Sequence, residues 1–97
     1  MRHRGAHFWL WTNSRLLHHT HEEVLSDGVQ VEVQARVGHG GVTQVFIGIY
    51  ADGGGAICEE FHDRAVGEYY CSALKWGAQR ARELVADSQA FVAPHRV

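Results

Sequence analysis

The chain has one proline, two cysteines and no apolar run near the roughly 20 residues that a membrane-crossing helix needs. Scarce proline, 45% apolar residues and 21% charged residues set it apart from disordered and low-complexity chains. The cysteines, Cys58 and Cys71, are too few for a disulfide framework. They are expected to be buried small side chains that stay reduced, so the expected location is cytoplasmic. No excess of one charge stands out either. Nine Lys and Arg against eleven Asp and Glu leave a net charge of -2, without a broad cationic field for phosphate backbones or anionic lipid. The start, Met1-Arg2-His3-Arg4, is basic, but the apolar run after it, Phe8-Trp9-Leu10-Trp11, is too short for a secretory leader and lacks a small-residue cleavage site.

What is abundant is histidine, eight in 97 residues, and protonation of all of them would take the net charge from -2 to +6. A chain of this length forms one domain around one core, burying about two-thirds of its unfolded surface.

The sharpest local signal is Val29-Gln30-Val31-Glu32-Val33-Gln34-Ala35-Arg36-Val37, apolar at each odd position and polar at each even one. Side chains repeat every two residues in a strand, so this stretch predicts a strand with one face in the core. A slip of one residue would expose valines worth roughly 1.5 kcal/mol each and bury Glu32 and Arg36. Gly38-His39-Gly40-Gly41 predicts a tight reversal, and Thr43 to Ala51 a second strand, with Val45, Ile47 and Ile49 on one side and Phe46 and Tyr50 on the other. Asp52-Gly53-Gly54-Gly55 predicts another turn and Ala56 to His62 a third strand, where Ile57 and Phe61 have the stronger claim on the core and turn Cys58 and His62 away from it. Asp63 is the expected cap of a helix over 63–88, with Val66, Tyr70, Ala73, Leu74, Gly77, Ala81, Leu84 and Val85 on its buried stripe. Residues 1–28 are read as an arm: Phe8 to Trp11 as a short strand or anchor, then a short helix capped by Asn13 or Ser14 that carries Leu17, His21, Val24 and Leu25. Residues 89–97 form a tail, with Phe91 to Pro94 tucking back. The fold class is therefore α+β, a three-stranded antiparallel meander packed by a long C-terminal helix, with an N-terminal strand or short helix before it.

Ligand-type residues gather in two places. His18, His19 and His21 with Glu22 are dense enough to chelate, yet no spacing supplies a fourth ligand, and a solvated histidine-rich surface is preferred. Cys58, His62 and Cys71 would need Cys58 and His62 on the helix side of their strand, which the core claim of Ile57 and Phe61 opposes. The glycine-rich segments lead into strands, where hairpin turns explain them better than phosphate loops. Glu59 and Glu60 point to opposite faces and do not form an acid and base pair. No nucleophile, base and orienting group occur together, so no catalytic residue, metal or cofactor is assigned and the chain is not expected to be an enzyme.

A two-sided second strand needs something over its second face. The expected function is a non-enzymatic protein–protein interaction module, in the main homodimeric and without a membrane role. Its partner binds through an edge strand or through the sheet face of Gln30, Glu32, Gln34, Arg36, Gln44, Phe46 and Tyr50. Two other readings stand beside it. One is a nucleic-acid-binding domain, with Trp9, Trp11, Phe46 and Tyr50 for stacking and Arg2, Arg4, Arg15 and Arg36 for phosphate. Its order of elements resembles the double-stranded-RNA-binding domain in topology, although that family opens its second helix with basic residues and Asp63-Arg64-Ala65-Val66-Gly67-Glu68 is nearly neutral. The other is a small metal-binding protein using the histidine cluster.

Overall fold

The computed structural model of the chain describes residues 3–12 and 16–92, the last five of them as backbone only. The elements are α1 (Ala6–Trp11), β1 (His18–Val24), β2 (Gln30–Val37), β3 (Val42–Tyr50), β4 (Ala56–Val66) and α2 (Tyr70–Val92), with a single 3₁₀ turn at His39–Gly41. The fold is α+β. Its sheet is an antiparallel meander in the order β1-β2-β3-β4 and has four strands where three are expected from the sequence.

The alternation in β2 is realised as read. Val31, Val33 and Ala35 join Val45, Ile47 and Ile49 of β3 on one face, all shut off from water, and α2 lies across these two strands with Ala73, Ala78 and Ala81. Small residues on the helix let its axis come close to the sheet. At Gly77 the approach is tightest, since a Cβ there would meet Val33 Cγ1 at 2.5 Å and Val45 Cγ1 at 3.2 Å. Leu74, Trp76, Leu84 and Val85 close the sides of this core.

Three expectations are corrected. The segment read as a helix over Leu17 to Leu25 is instead β1, paired in full register with β2 from His18 opposite Arg36 to Val24 opposite Gln30. Its residues are mostly exposed and carry no period-two hydrophobic signal; the ladder to β2 decides its conformation. The Asn13 or Ser14 cap falls outside the described residues, as does the end of the tail, residues 93–97.

The second correction concerns the end of the sheet. β4 continues to Val66, so Asp63 lies in a strand and α2 starts only at Tyr70. There Glu68 places its carboxylate near the first turn of α2, where negative charge is favoured, and accepts a bond from Ser72 Oγ at 3.0 Å.

The third is the facing of β4. Cys58, Glu60 and His62 are opposite Ile49, Ile47 and Val45, on the α2 side, and Phe61 is opposite Phe46 on the other. Polar bonds with α2 stabilise this register: His62 lies edge-on to Trp76, 5.2 Å between centroids, and Glu60 pairs with Arg80. Of the two cysteines, Cys58 packs against the core, whereas Cys71 is exposed on α2. No helix among the described residues is long and apolar enough to cross a membrane.

The close approach at Gly77 yields a direct expectation. Gly77→Leu should force α2 away from β2 and β3 and cost about 1–3 kcal/mol or more, as overpacked cores do; urea unfolding followed by circular dichroism measures it, and an unchanged midpoint would place Gly77 outside the packing face.

Candidate functional site

The second face of the sheet is roofed by the chain itself. Phe8 and Trp11, three apart and so on one side of α1, are buried against Phe46, with ring centroids 5.4 and 5.5 Å away. The arm thus forms a helix, not the short strand considered for it, and lies on β4 and β3.

Two arginines fasten it. Arg4 pairs with Glu32, donating to Oε2 at 2.9 Å and contacting Oε1, while its guanidinium lies 4.3 Å from the Phe8 ring centroid. Arg36, on β2, reaches the other end of α1, donating to the Trp11 carbonyl and stacking over the Trp11 ring at 3.9 Å. Its Nε donates to Gln44 Oε1 at 2.9 Å, and Gln44 Nε2 donates to Asp63 Oδ1 at 2.9 Å, so the chain of bonds runs across β2, β3 and β4.

Glu59 completes the attachment. Its Oε2 accepts from Gly5 N at 3.0 Å and its Oε1 from Phe8 N at 3.2 Å, so a strand carboxylate satisfies amides that no residue within α1 can reach. The Tyr50 hydroxyl donates to Glu59 Oε2 at 2.7 Å and accepts a longer contact of 3.5 Å from Arg4. Burial, reinforced by the Glu59 carboxylate, pushes the Tyr50 hydroxyl up to about 12. The Tyr50 ring is accommodated by Gly48, where a Cβ would come within 2.6 Å of it.

This arrangement corrects the sheet face expected to meet a partner. Glu32, Gln34, Phe46 and Tyr50 are buried, Glu32 with only 2% of its surface exposed. Arg36, Gln44 and Gln30 are half-buried, the first two committed to the bonds just described. The covering surface is the chain's own N-terminal segment, whose Phe8 and Trp11 take the Phe46 ring out of water.

The histidines do not converge. On β1, His19 and His21 face α2, with His19 against Tyr70 at 4.0 Å and His21 Nε2 2.8 Å from Glu23 Oε1, whereas His18 belongs to the opposite face. Among the described residues no three His, Cys, Asp or Glu side chains are grouped as metal ligands. Cys58 and His62 do face α2, contrary to the expectation above, but Cys71 is exposed on the helix and does not join them. Burial, with Glu60 nearby, raises the Cys58 thiol.

α2 is flanked by two similar clamps. On the β1 side Arg82 donates twice to Glu23, at 2.9 and 2.8 Å; on the β4 side Arg80 donates twice to Glu60, at 2.8 and 3.4 Å. Arg64 forms a third fork on Glu68, at 2.9 and 3.0 Å, and lies 4.3 Å from the Trp76 ring centroid. A shallow groove of about 530 Å³ opens between β1 and α2, lined by Thr20, His21, Cys71, Leu74, Lys75, Ala78 and Arg82.

Exposed apolar side chains occur at both edges of the sheet, Leu17 and Val24 at the β1 edge and a larger group around β4. Ile57 and Phe61 on β4 are 54% and 45% exposed, and Trp9 and Leu10 on α1 63% and 78%. His7 of α1 rests 6.2 Å from the Phe61 ring. β4 is an edge of the sheet, so among the described residues no strand pairs with its outer row of backbone N–H and C=O groups. The sequence-based choice of the sheet face missed Ile57 and Phe61 because they were assigned to the core; the competing carboxylate Glu59 on the same side was the available sign that this face is not the core.

Two expectations follow from these bonds. Arg4→Met removes the Arg4 guanidinium from the buried Glu32 carboxylate and should destabilise by up to about 3–5 kcal/mol, while Arg4→Met combined with Glu32→Leu should cost less than the single change, as replaced buried pairs do; urea denaturation of the three chains measures this. The carboxyls of Glu23 and Glu68 are held below their ordinary value by the Arg82 and Arg64 forks, and in Glu60 burial pushes up but the Arg80 and His62 bonds outweigh it. A carboxyl lowered by folding stabilises above its unfolded value, near 4.5, and loses that contribution as pH falls through the folded value. The fall in Tm between pH 5 and pH 3 should therefore be smaller in Glu60→Gln than in the unaltered chain, by scanning calorimetry.

Comparison of the chain with models of protein families, with curated proteins and with solved structures finds no match in any of the three.

Proposed function

We propose that the protein is a non-enzymatic interaction module that docks a protein segment along the outer edge of β4. The observation that supports this reading is a long edge strand, Ala56–Val66, whose exposed Ile57 and Phe61 lie next to unpaired backbone groups. Such an edge accepts an added strand by main-chain hydrogen bonds, and alternate side chains supply the selectivity. Departures from regular pairing with β3 occur at Ile57 and around residues 64–65, so the regular stretch is Cys58–Asp63. An added strand finds its most regular ladder there, and beyond it must match the bulges, which bend the strand.

This reading is preferred to nucleic-acid binding. Arg4, Arg36, Arg64, Arg80 and Arg82 are each engaged with a carboxylate, amide or carbonyl of the chain itself, which leaves few cations among the described residues to displace counterions from a phosphate backbone. Arg2 and Arg15, named above for phosphate contacts, lie outside the described residues. Phe46 and Tyr50 are buried and present no stacking surface.

A photoreactive benzophenone side chain in place of Phe61, compared with the same group in place of Lys75 on α2, tests the docking edge in cells that make the protein. Irradiation should give protein adducts of discrete mass from position 61 and not from 75. Equal labelling from both positions, or none from 61, would remove the β4 edge as the docking surface.

A further inference from the structure

We infer that the occupant of the β4 edge is β4 of a second copy of this chain, paired antiparallel about a two-fold axis at Phe61. The inference rests on the docking reading above and commits it to one partner.

Phe61 is the midpoint of Ala56–Val66, so a two-fold axis there overlaps the whole strand with its copy. The irregularities of β4 fit the same axis. Ile57 is the extra residue between Ala56 and Cys58, and the second irregularity falls at residues 64–65, between the partners of Gln44 and Val42. With Phe61 opposite Phe61 of the copy, the segment around Ile57 meets the segment around Ala65, bulge against bulge, and the ladder between them stays in register. An axis one residue earlier or later loses this match and places Glu60 against Glu60, or His62 against His62.

The bulges alone choose this register, and charge is mixed within it. Facing residues in an antiparallel pair share a side of the sheet. With the axis at Phe61, Glu60 faces the copy's His62 on the α2 side, and His62 faces the copy's Glu60. Both side chains are already oriented there, their own contact being 2.8 Å, with Arg80 on the same carboxylate. On the α1 side the two Phe61 rings meet between His7 and its copy. The opposing cost is also defined: Glu59 faces the copy's Asp63 twice, a like-charge contact that weakens the pair. Glu59 is held by Tyr50, Gly5 and Phe8, and Asp63 by Gln44, so neither swings into the other's place.

The α2 helix leaves this edge accessible, since it lies across β2 and β3. β1, the other edge, is shorter and carries His18, His19, Thr20, His21, Glu22 and Glu23, polar side chains of the kind that discourage edge pairing.

Light scattering of the untagged protein after size exclusion, with a disulfide test, examines the inference. The expected mass is twice the 10.9 kDa of the chain. In a chain with Cys58→Ser and Cys71→Ser, Phe61→Cys should cross-link to its copy under mild oxidation, because facing Cβ atoms are about 4.5–5.5 Å apart, whereas His62→Cys, whose copy is displaced along the strand, should cross-link much more slowly. Asp63→Asn keeps an oxygen for Gln44 but removes the like-charge contact, so it should tighten the dimer several-fold, an effect opposite to that of general damage. A monomer at millimolar concentration overturns the inference, and if position 61 still gives adducts with another protein the docking reading stands. A dimer in which position 62 cross-links faster than 61, or that Asp63→Asn weakens, overturns the Phe61 register and leaves edge docking intact. Loss of both the dimer and all adducts from position 61 removes the two together.

Discussion

A carboxylate almost without access to water sits in the middle of the sheet, and much of the N-terminal half of the molecule is arranged around that fact. Glu32 occupies an even position of β2, and the odd positions are core, so it can only point to the second face. A charge there is tolerable if a cation joins it. Arg4 supplies the cation and brings the arm with it; Phe8 and Trp11 then cover Phe46, and Glu59 satisfies the amides at the start of α1. A six-residue helix is too short to be stable alone, so α1 depends on these attachments to the sheet.

The two faces of the sheet solve different problems. Towards α2 the packing is apolar and close, dependent on the missing side chain at Gly77, with ion pairs only at the margins where Arg82 meets Glu23 and Arg80 meets Glu60. Towards α1 it is mixed, with aromatic rings and guanidinium groups stacked together and carboxylates and a phenol between them. Dispersion and water exclusion set the spacing of the first face. Hydrogen-bond geometry sets that of the second.

Much of this was legible in the residues. β2 and β3, the glycine turns and the small-residue stripe of α2 announce themselves because burial on one side imposes a period, and the period survives in the sequence. β1 does not, since an edge strand with little buried on either side has no hydrophobic rhythm, and Leu17, His21, Val24 and Leu25 happen to fall at helical spacing. In β4 the apolar residues Ile57 and Phe61 misdirect, because their strand faces the core with Cys58, Glu60 and His62, residues whose place is decided by partners on α2 far away in the chain. Which side of the sheet stays exposed was out of reach for the same reason: knowing that Phe46 and Tyr50 are covered requires knowing that the arm folds back.

That folding back has a consequence for synthesis. The apolar run Phe8-Trp9-Leu10-Trp11 is made before the residues that receive it: Phe46, which covers it, and Glu59, which caps it, are 38 and 51 residues later than Phe8. A growing chain of this protein therefore carries bare tryptophan and phenylalanine until β4 has left the ribosome, several seconds at about 5–20 residues per second. α1 is thus made well before the strands that receive it, and its rings stay uncovered by the fold through that interval.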